Sequence, residues 1–400
     1  MRILISAYAC GPGTGSEPEV GLQIALAAAS EHEVWVVTRE DNLPALESFL
    51  LDHPLSDRIH LSGHSVGGLA KRFKERGGLF AQYWYYDKWQ RNLSDLAARL
   101  DEQFDFDVVH HATYASYWTR AGVAAVRKPL IWGPLGGGVT PPMRLVAILG
   151  MRGALGDLVR VLARPMVAYL TGSNRTARRA SVVLAVNPET ASVFGTSIDT
   201  TVLPNAIIAA FAVDSGATSL ERGMNIVAAS RLVGWKGIAL AVRAMSHLQD
   251  PAPHLDVFGE GTQIRRLTRL AARLGVASRI RFHGHISRSQ LLHEISKAGV
   301  LVHPSLHEEG GFVVAEALAL GTPVVCLDRG GPPVIISYWP RVPSRSVIPM
   351  TPRTTAVAMA HAIEEVIGLR GPIDSGPADI FREEMMRAYG DAALVENPLN

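Results

Sequence analysis

Short apolar runs rich in valine, isoleucine and leucine recur along the chain, separated by longer segments of helical period. One series comprises Arg2–Tyr8, Val34–Thr38, Asp107–His111, Leu130–Trp132, Val182–Val186 and Thr201–Leu203. A second comprises Asn225–Ser230, Leu255–Phe258, Arg279–His283, Val300–His303 and Val324–Leu327. Runs of this length with little polar alternation predict strands covered on both faces, as parallel sheets require. Helical stretches such as Glu19–Ala29 and Ser289–Lys297 lie between them, so the chain reads as α/β. An Ala/Ser/Gly-rich stretch parts the two series. The predicted layout is a first domain over 1–205, a linker over 206–223 and a second domain over 224–375, with residues 376–400 as a tail.

The loop after the first strand, ACGPGTGSEPEVG, is rich in glycine. Ser16 and Glu19 have capping-box spacing, and Pro18 suits a first helical turn. Gly11, Gly13 and Gly15 approach a dinucleotide fingerprint, but Ser16 stands where that pattern needs glycine.

Composition narrows the class. The 400 residues are 48% hydrophobic and 19% charged, a globular balance for a chain longer than one ordinary core. A net charge of +2 argues against nucleic-acid binding by bulk electrostatics. Cys10 and Cys326 are far apart, so no disulfide framework is expected. There is no signal-peptide pattern and no apolar run of about 18 residues, which predicts a cytoplasmic protein.

The candidate chemistry centres on the stretch from Val302 to Val325. Glu308 and Glu316 are separated by seven residues, and Gly310-Gly311 precedes an apolar run of helical character. Bare N–H groups at a helix start form an anion site, here offered by Gly310, Gly311, Phe312 and Val313. Glu316, one turn in, suits sugar hydroxyls beside a phosphate better than the phosphate itself. Arg231 and Lys236 follow the strand Asn225–Ser230 at a spacing fit to clamp a diphosphate: arginine forks two oxygens, lysine acts as a point charge. His110 and His111 fall at a strand end, the edge at which open α/β sheets bind ligands. Asp105 and Asp107 mark the entry to that strand, and no metal role is assigned to them. Tyr83, Trp84, Tyr85, Tyr86 and Trp89 follow the basic residues Lys71, Arg72, Lys74 and Arg76. Arg152, Arg160, Arg164, Arg175, Arg178 and Arg179 form a second basic stretch. Both could meet a membrane surface, or simply pack and be solvated.

The Glu-x7-Glu pattern, followed by Ala-Leu-Ala and Gly-Thr-Pro-Val-Val, resembles the signature of retaining, GT-B-fold, family-four glycosyltransferases. GSEPEVG and WGP with GGG resemble one of its subgroups. The resemblance implies two Rossmann-like domains with parallel sheets facing a central cleft, the last helix returning to the first domain. It places Glu308 by the donor sugar, Glu316 on the ribose, Arg231 and Lys236 on the diphosphate, and His283 against the base. Gly15 borders the cleft, and His111 contacts the donor sugar, with His110 as the alternative. Glu308, His111, Arg231 and Lys236 are thus the expected catalytic set. Gly15, Arg231, Lys236, His283, Gly310, Gly311, Phe312, Val313 and Glu316 are the expected donor-binding set. The donor would be a UDP-, GDP- or dTDP-sugar, with no cofactor and no metal, and the acceptor a hydroxyl compound. A lipid-linked acceptor would bring the protein to the inner face of the membrane. The subgroup often has an acid where this chain has Val139, which leaves the acceptor open. Two rival readings are an NAD(P)-dependent oxidoreductase using the Gly11–Gly15 loop and a non-catalytic sugar-nucleotide-binding protein. A sugar-nucleotide epimerase of related fold lacks support in these motifs.

Overall fold

In a computed structural model of the chain, the described residues are 1–13, 16–76, 78–212, 223–251 and 253–395. Two compact units emerge, each built on its own sheet. The first sheet contains β1 (Arg2–Ser6), β2 (Glu33–Arg39), β3 (Ile59–His64), β4 (Val108–His111), β5 (Leu130–Leu135), β6 (Val182–Ala185) and β7 (Thr200–Val202). Its strand order is β3-β2-β1-β4-β5-β6-β7, all parallel. The second contains β8 (Ile226–Ala229), β9 (Leu255–Phe258), β10 (Ile280–Gly284), β11 (Val300–His303), β12 (Val324–Leu327) and β13 (Arg345–Val347). Its order is β10-β9-β8-β11-β12-β13, again parallel. The order reverses between β1 and β4 in one sheet and between β8 and β11 in the other. Open α/β sheets bind ligands outside the strand carboxyl ends at such points.

The central strands β4, β8, β9, β11 and β12 are buried at every position. This is why they lack polar alternation; the polar residues they do carry, His110 and His111 in β4, Asp256 in β9 and His303 in β11, are themselves buried. Trp35, Trp89, Phe106, Val109 and Leu130 pack in the first unit, and Val227's neighbours Ile226 and Ala228 join Leu240, Val302 and Met359 in the second. Each fully buried aliphatic side chain contributes about 1.5–3 kcal/mol to its core.

Three local expectations are corrected. Ser16 does not cap a helix: it is the first residue of the helix Ser16–Ala29, at φ +58°. Glu19 instead accepts the Gly13 N–H at 3.1 Å and Gln23 Nε2 at 3.0 Å. The stretch read as a linker opens with a 3-10 helix, Asn205–Ala212, whose Ala206, Ile207 and Ile208 are buried; residues 213–222 lie outside those described. The first unit is also not the continuous stretch 1–205. It comprises Met1–Gly138, Ala163–Ile208 and Asp379–Asn400, while Val139–Leu162 and Ala209–Ala378 form the second. Strands β3 and β13 and the long helix Gly78–Phe104 carried no clear sequence signal, whereas the helical character expected around Arg152–Arg179 is met by Val146–Thr171, kinked at Gly150, and Ser173–Arg179. The first two are short sheet-edge strands with largely exposed or half-buried residues.

Candidate functional site

At the carboxyl edge of the second sheet, the loops after β8 and β11 are knitted together. The Leu306 N–H donates to the Trp235 carbonyl at 2.8 Å, and Ser305 Oγ donates to the same oxygen at 3.3 Å. Gly237, at φ +65°, passes so close to the neighbouring loop that an added Cβ would lie 1.9 Å from the Pro304 carbonyl oxygen. Only glycine allows that approach, which sets the position of Lys236 beside it. The loop after β12 joins from the other side: the Gly331 N–H donates to the Glu308 carbonyl at 3.1 Å. A Cβ on Gly331 would meet the Gly310 carbonyl oxygen at 2.1 Å.

This arrangement brings charges together. Lys236 Nζ sits 2.5 Å from Glu308 Oε2, and His303 Nε2 reaches the same oxygen at 3.0 Å. Burial alone would push the Glu308 carboxyl up. The Lys236 ammonium and the His303 hydrogen bond outweigh it and hold the group well below the usual carboxylate range. Glu308 Oε1 has no hydrogen-bond partner among the described residues. Arg231, at the start of the same loop, is exposed, with its guanidinium 5.9 Å from the Trp235 ring centre. It forms no ion pair among the described residues.

Directly after this cluster comes the helix Phe312–Ala319, with Gly311 as its N-cap at φ 107°. The N–H groups of Val314 and Ala315 turn back onto the Gly311 carbonyl, at 2.9 and 3.2 Å. Those of Gly310, Gly311, Phe312 and Val313 have no backbone partner among the described residues, the condition for anion binding. Glu316 lies within this helix, buried, and takes both Nε and Nη2 of Arg288 on Oε1, at 2.9 and 2.7 Å. Oε2 is left without a partner among the described residues, free to accept hydroxyls. Burial raises the Glu316 carboxyl above its ordinary value, and Arg288 pulls it only part of the way back.

His283 stands at the end of β10. Its ring stacks on Phe258 at 4.7 Å and 16°, and its Nε2 reaches Asp256 Oδ1 at 2.7 Å. Glu309 is drawn away from the charge cluster, accepting the Val139 N–H at 3.2 Å and His307 Nε2 at 3.1 Å. Arg231, Lys236, Glu308, the glycine pair and Glu316 therefore share one sheet edge. Arg288 and His303 belong to the same set but were not read from the sequence. His303 carried a usable signal, a histidine ending a central strand on the ligand edge. Arg288 carried none, since its role arises only from the packing of two helices.

In the first unit, His110 and His111 are both fully buried. His110 Nε2 donates to the Gly133 carbonyl at 2.7 Å, so Nδ1 accepts from the Tyr389 hydroxyl at 2.7 Å. His111 Nε2 meets the Tyr86 hydroxyl at 3.2 Å, and its Nδ1 is buried without a hydrogen bond. Burial lowers His110 to about 4; burial and the neighbouring His110 lower His111 to about 3. His111 thus keeps one unsatisfied polar atom, whereas His110 has none to spare. Gly15 lies outside the described residues. Asp105 pairs with Lys128 at 2.5 Å, and Asp107 accepts the Arg2 N–H at 2.7 Å, as acids at a strand entry commonly do.

The aromatic stretch divides. Tyr85, Tyr86 and Trp89 are buried, while Phe73, Tyr83 and Trp84 are exposed. The second basic stretch does not form one outward face. Arg164 is buried over the Trp118 ring at 4.8 Å, Arg179 donates to the Ala124 and Val126 carbonyls, and Arg160 pairs with Asp157 at 2.5 Å. Among the described residues no helix is long and apolar enough to cross a membrane.

Two parallel, helix-covered sheets of this topology are the units of a GT-B fold. The chain is similar to a glycosyltransferase from Rickettsia africae, at a TM-score of 0.56 and 13% identity, covering 99% of each chain. It is also similar to the Anabaena protein HepE, solved in complex with UDP, at a TM-score of 0.53 and 16% identity, covering 98% of this chain and 100% of that one. At the sequence level, residues 219–367 match the model of the family Glycosyl transferases group 1. Among curated relatives, the D-inositol 3-phosphate glycosyltransferase of Streptomyces bingchenggensis is 37% identical over 119 residues, 27% of this chain. That match spans about a quarter of the relative's own length, 26%.

Proposed function

We propose that the protein is a retaining glycosyltransferase that moves a sugar from a nucleotide diphosphate donor to a hydroxyl acceptor, without a divalent cation. The observation that carries this reading is the meeting of Lys236, Glu308 and the bare amides of Gly310–Val313 at one sheet edge. In the reaction the bond between the anomeric carbon and the β-phosphate oxygen breaks. The acceptor oxygen bonds to that carbon from the same face, and its proton passes to the departing phosphate. Negative charge grows on the phosphate as the sugar becomes oxocarbenium-like. Arg231, Lys236 and the amides of Gly311, Phe312 and Val313 would stabilise that charge, as preorganised donors do. Glu308 Oε1 is placed to accept a donor-sugar hydroxyl, and Glu316 Oε2 to accept the ribose hydroxyls. The stacked His283–Phe258 pair offers a surface for the base. UDP is the favoured nucleotide, because HepE of the same fold holds it.

Lys236→Ala should lower turnover by a factor of a hundred or more, roughly the effect of removing one transition-state donor, while the melting curve stays cooperative. Near-normal turnover in that variant would overturn the clamp. Release of UDP from a UDP-sugar only in the presence of a hydroxyl acceptor separates an enzyme from a sugar-nucleotide-binding protein. The acceptor is unassigned; the exposed Phe73, Tyr83 and Trp84 beside exposed Arg72 and Arg76 favour one carried on a lipid.

A further inference from the structure

A second cationic site lies in the same unit, at the other end of the helix that follows Lys236. Arg243 stands in the last turn of the helix Ile238–Ala244. Arg266 and Arg273 project from the helix Ile264–Arg273. All three line one cavity of about 80 Å³, floored by Ile148 and Leu270. One water needs only ~15 Å³ of such space.

No aspartate or glutamate lines this cavity. Arg266 is held in place by the Ile148 and Ala147 carbonyls, at 3.0 and 3.1 Å from its two terminal nitrogens. Arg243 Nε is buried with no hydrogen bond among the described residues. Arg273 is exposed, which leaves the cavity open on its side. None of the three forms an ion pair with a carboxylate among the described residues. Three like charges around one space repel, and a buried unsatisfied guanidinium nitrogen is costly. A ligand with several acceptor oxygens and two negative charges removes both penalties. The guanidinium fork matches the oxygens of a phosphate group in particular.

We infer that this cavity binds one phosphate group, free or as a monoester, separately from the donor diphosphate. The space fits a single phosphoryl head and not a nucleotide. Lys236 precedes the short helix Ile238–Ala244 and Arg243 stands in its last turn, so the helix, about 10 Å long at 1.5 Å per residue, separates the two. A bound phosphate would fasten that helix to the helix Ile264–Arg273 and to residues 147–148. It would thereby stiffen the support of the Lys236 loop.

The test is a thermal-unfolding titration of the full chain with inorganic phosphate, and separately with glucose 6-phosphate. Saturating UDP occupies the donor site, and chloride holds the ionic strength constant. Both arms are run on the wild type, on Arg273→Gln and on the double variant Arg243→Met/Arg273→Gln. A saturable rise in the wild-type midpoint is expected, with affinity falling about tenfold or more per arginine removed. A rise with inorganic phosphate assigns the free ion as occupant; a rise with glucose 6-phosphate alone assigns a phosphorylated metabolite. No rise in either arm, or an equal rise in Arg273→Gln and wild type, would overturn the site. Arg273→Gln alters an exposed helix end, so it keeps the test available if the double variant does not fold.

Discussion

Arg288 is the most informative position to perturb, because its effect must depend on pH in a stated direction. Glu316 is buried, and both its hydrogen bonds from Arg288 fall on one oxygen, at 2.9 and 2.7 Å. Removing one partner of a fully buried pair costs about 3–5 kcal/mol, since the other charge is left uncompensated. The Arg288 side chain is a third exposed, at 33%, and water already screens part of that attraction. A loss of about 2 kcal/mol near pH 8 is therefore expected for Arg288→Met. In a unit of this size that is a fall of about 4–8 °C in the unfolding midpoint. The sign follows from linkage. The folded pKa of Glu316 is raised by burial against the partial pull of Arg288, so folding takes up a proton in the interval above the unfolded value. Stability is lost as pH rises through that interval. Without Arg288 the folded value rises further, and the interval widens upward. The variant's deficit should be small where Glu316 is protonated in both states and should grow toward pH 8. Circular-dichroism melts at pH 5 and pH 8 measure this directly for wild type, Arg288→Met, Glu316→Gln and the double variant. The double variant should be more stable at pH 8 than the sum of the single losses implies. A deficit independent of pH, or one that Glu316→Gln does not relieve, would refute the reasoning.

Other perturbations probe the remaining parts. Gly237→Ala combines left-handed backbone strain with a Cβ 1.9 Å from the Pro304 carbonyl, and should destabilise by about 3 kcal/mol or more in denaturant melts. His110 and His111 are lowered to about 4 and about 3 by burial. Their unfolded forms gain protons below about pH 6.5 while the folded forms do not, so stability falls with pH across that range. The loss is about 2 kcal/mol for each at pH 5, and a denaturation series from pH 7 to pH 4 should show a shallower slope in His111→Asn. Glu316→Gln should weaken UDP binding in calorimetry, and unchanged affinity would count against the ribose role. Transfer activity should survive EDTA, and its loss would direct attention to metal chemistry.

How far the sequence could be read follows from what each feature depends on. Strands β9, β11 and β12 coincide with their predicted runs residue for residue, because a strand buried on both faces is mostly apolar; the buried polar exceptions, Asp256 in β9 and His303 in β11, are hydrogen-bonded. The edge strand β13 has two exposed residues of three, so no such run marks it. Arg231, Lys236, Glu308 and Glu316 were legible because their residue types and spacing resemble a family signature, and the structure places them at one sheet edge. The segment Val139–Leu162, grouped with the second unit, was not, since chain order gives no hint of which core a helix joins. The Ser16 capping box failed for a local reason: Glu19 is taken by Gly13 and Gln23 before it could reach back. Arg288 escaped because helix-to-helix contacts have no short-range pattern.

The charge balance at the second sheet edge bears on how the proposed donor would bind. Lys236 pairs with Glu308, and Glu316 with Arg288; Arg231 forms no ion pair among the described residues. Under the proposed function, a diphosphate arriving there would not be held by Arg231 alone. The amides of Gly310–Val313 carry no formal charge, yet they need no counter-ion and pay no reorganisation when the phosphate arrives. Lys236 would then be shared between Glu308 and the phosphate. The pull of His303 on Glu308 becomes important at that point, because it keeps the carboxylate ionised and in place as the lysine turns toward the ligand. Replacing His303 should therefore weaken donor binding through Glu308, and His303→Gln, which retains a donor hydrogen, should weaken it less than His303→Ala.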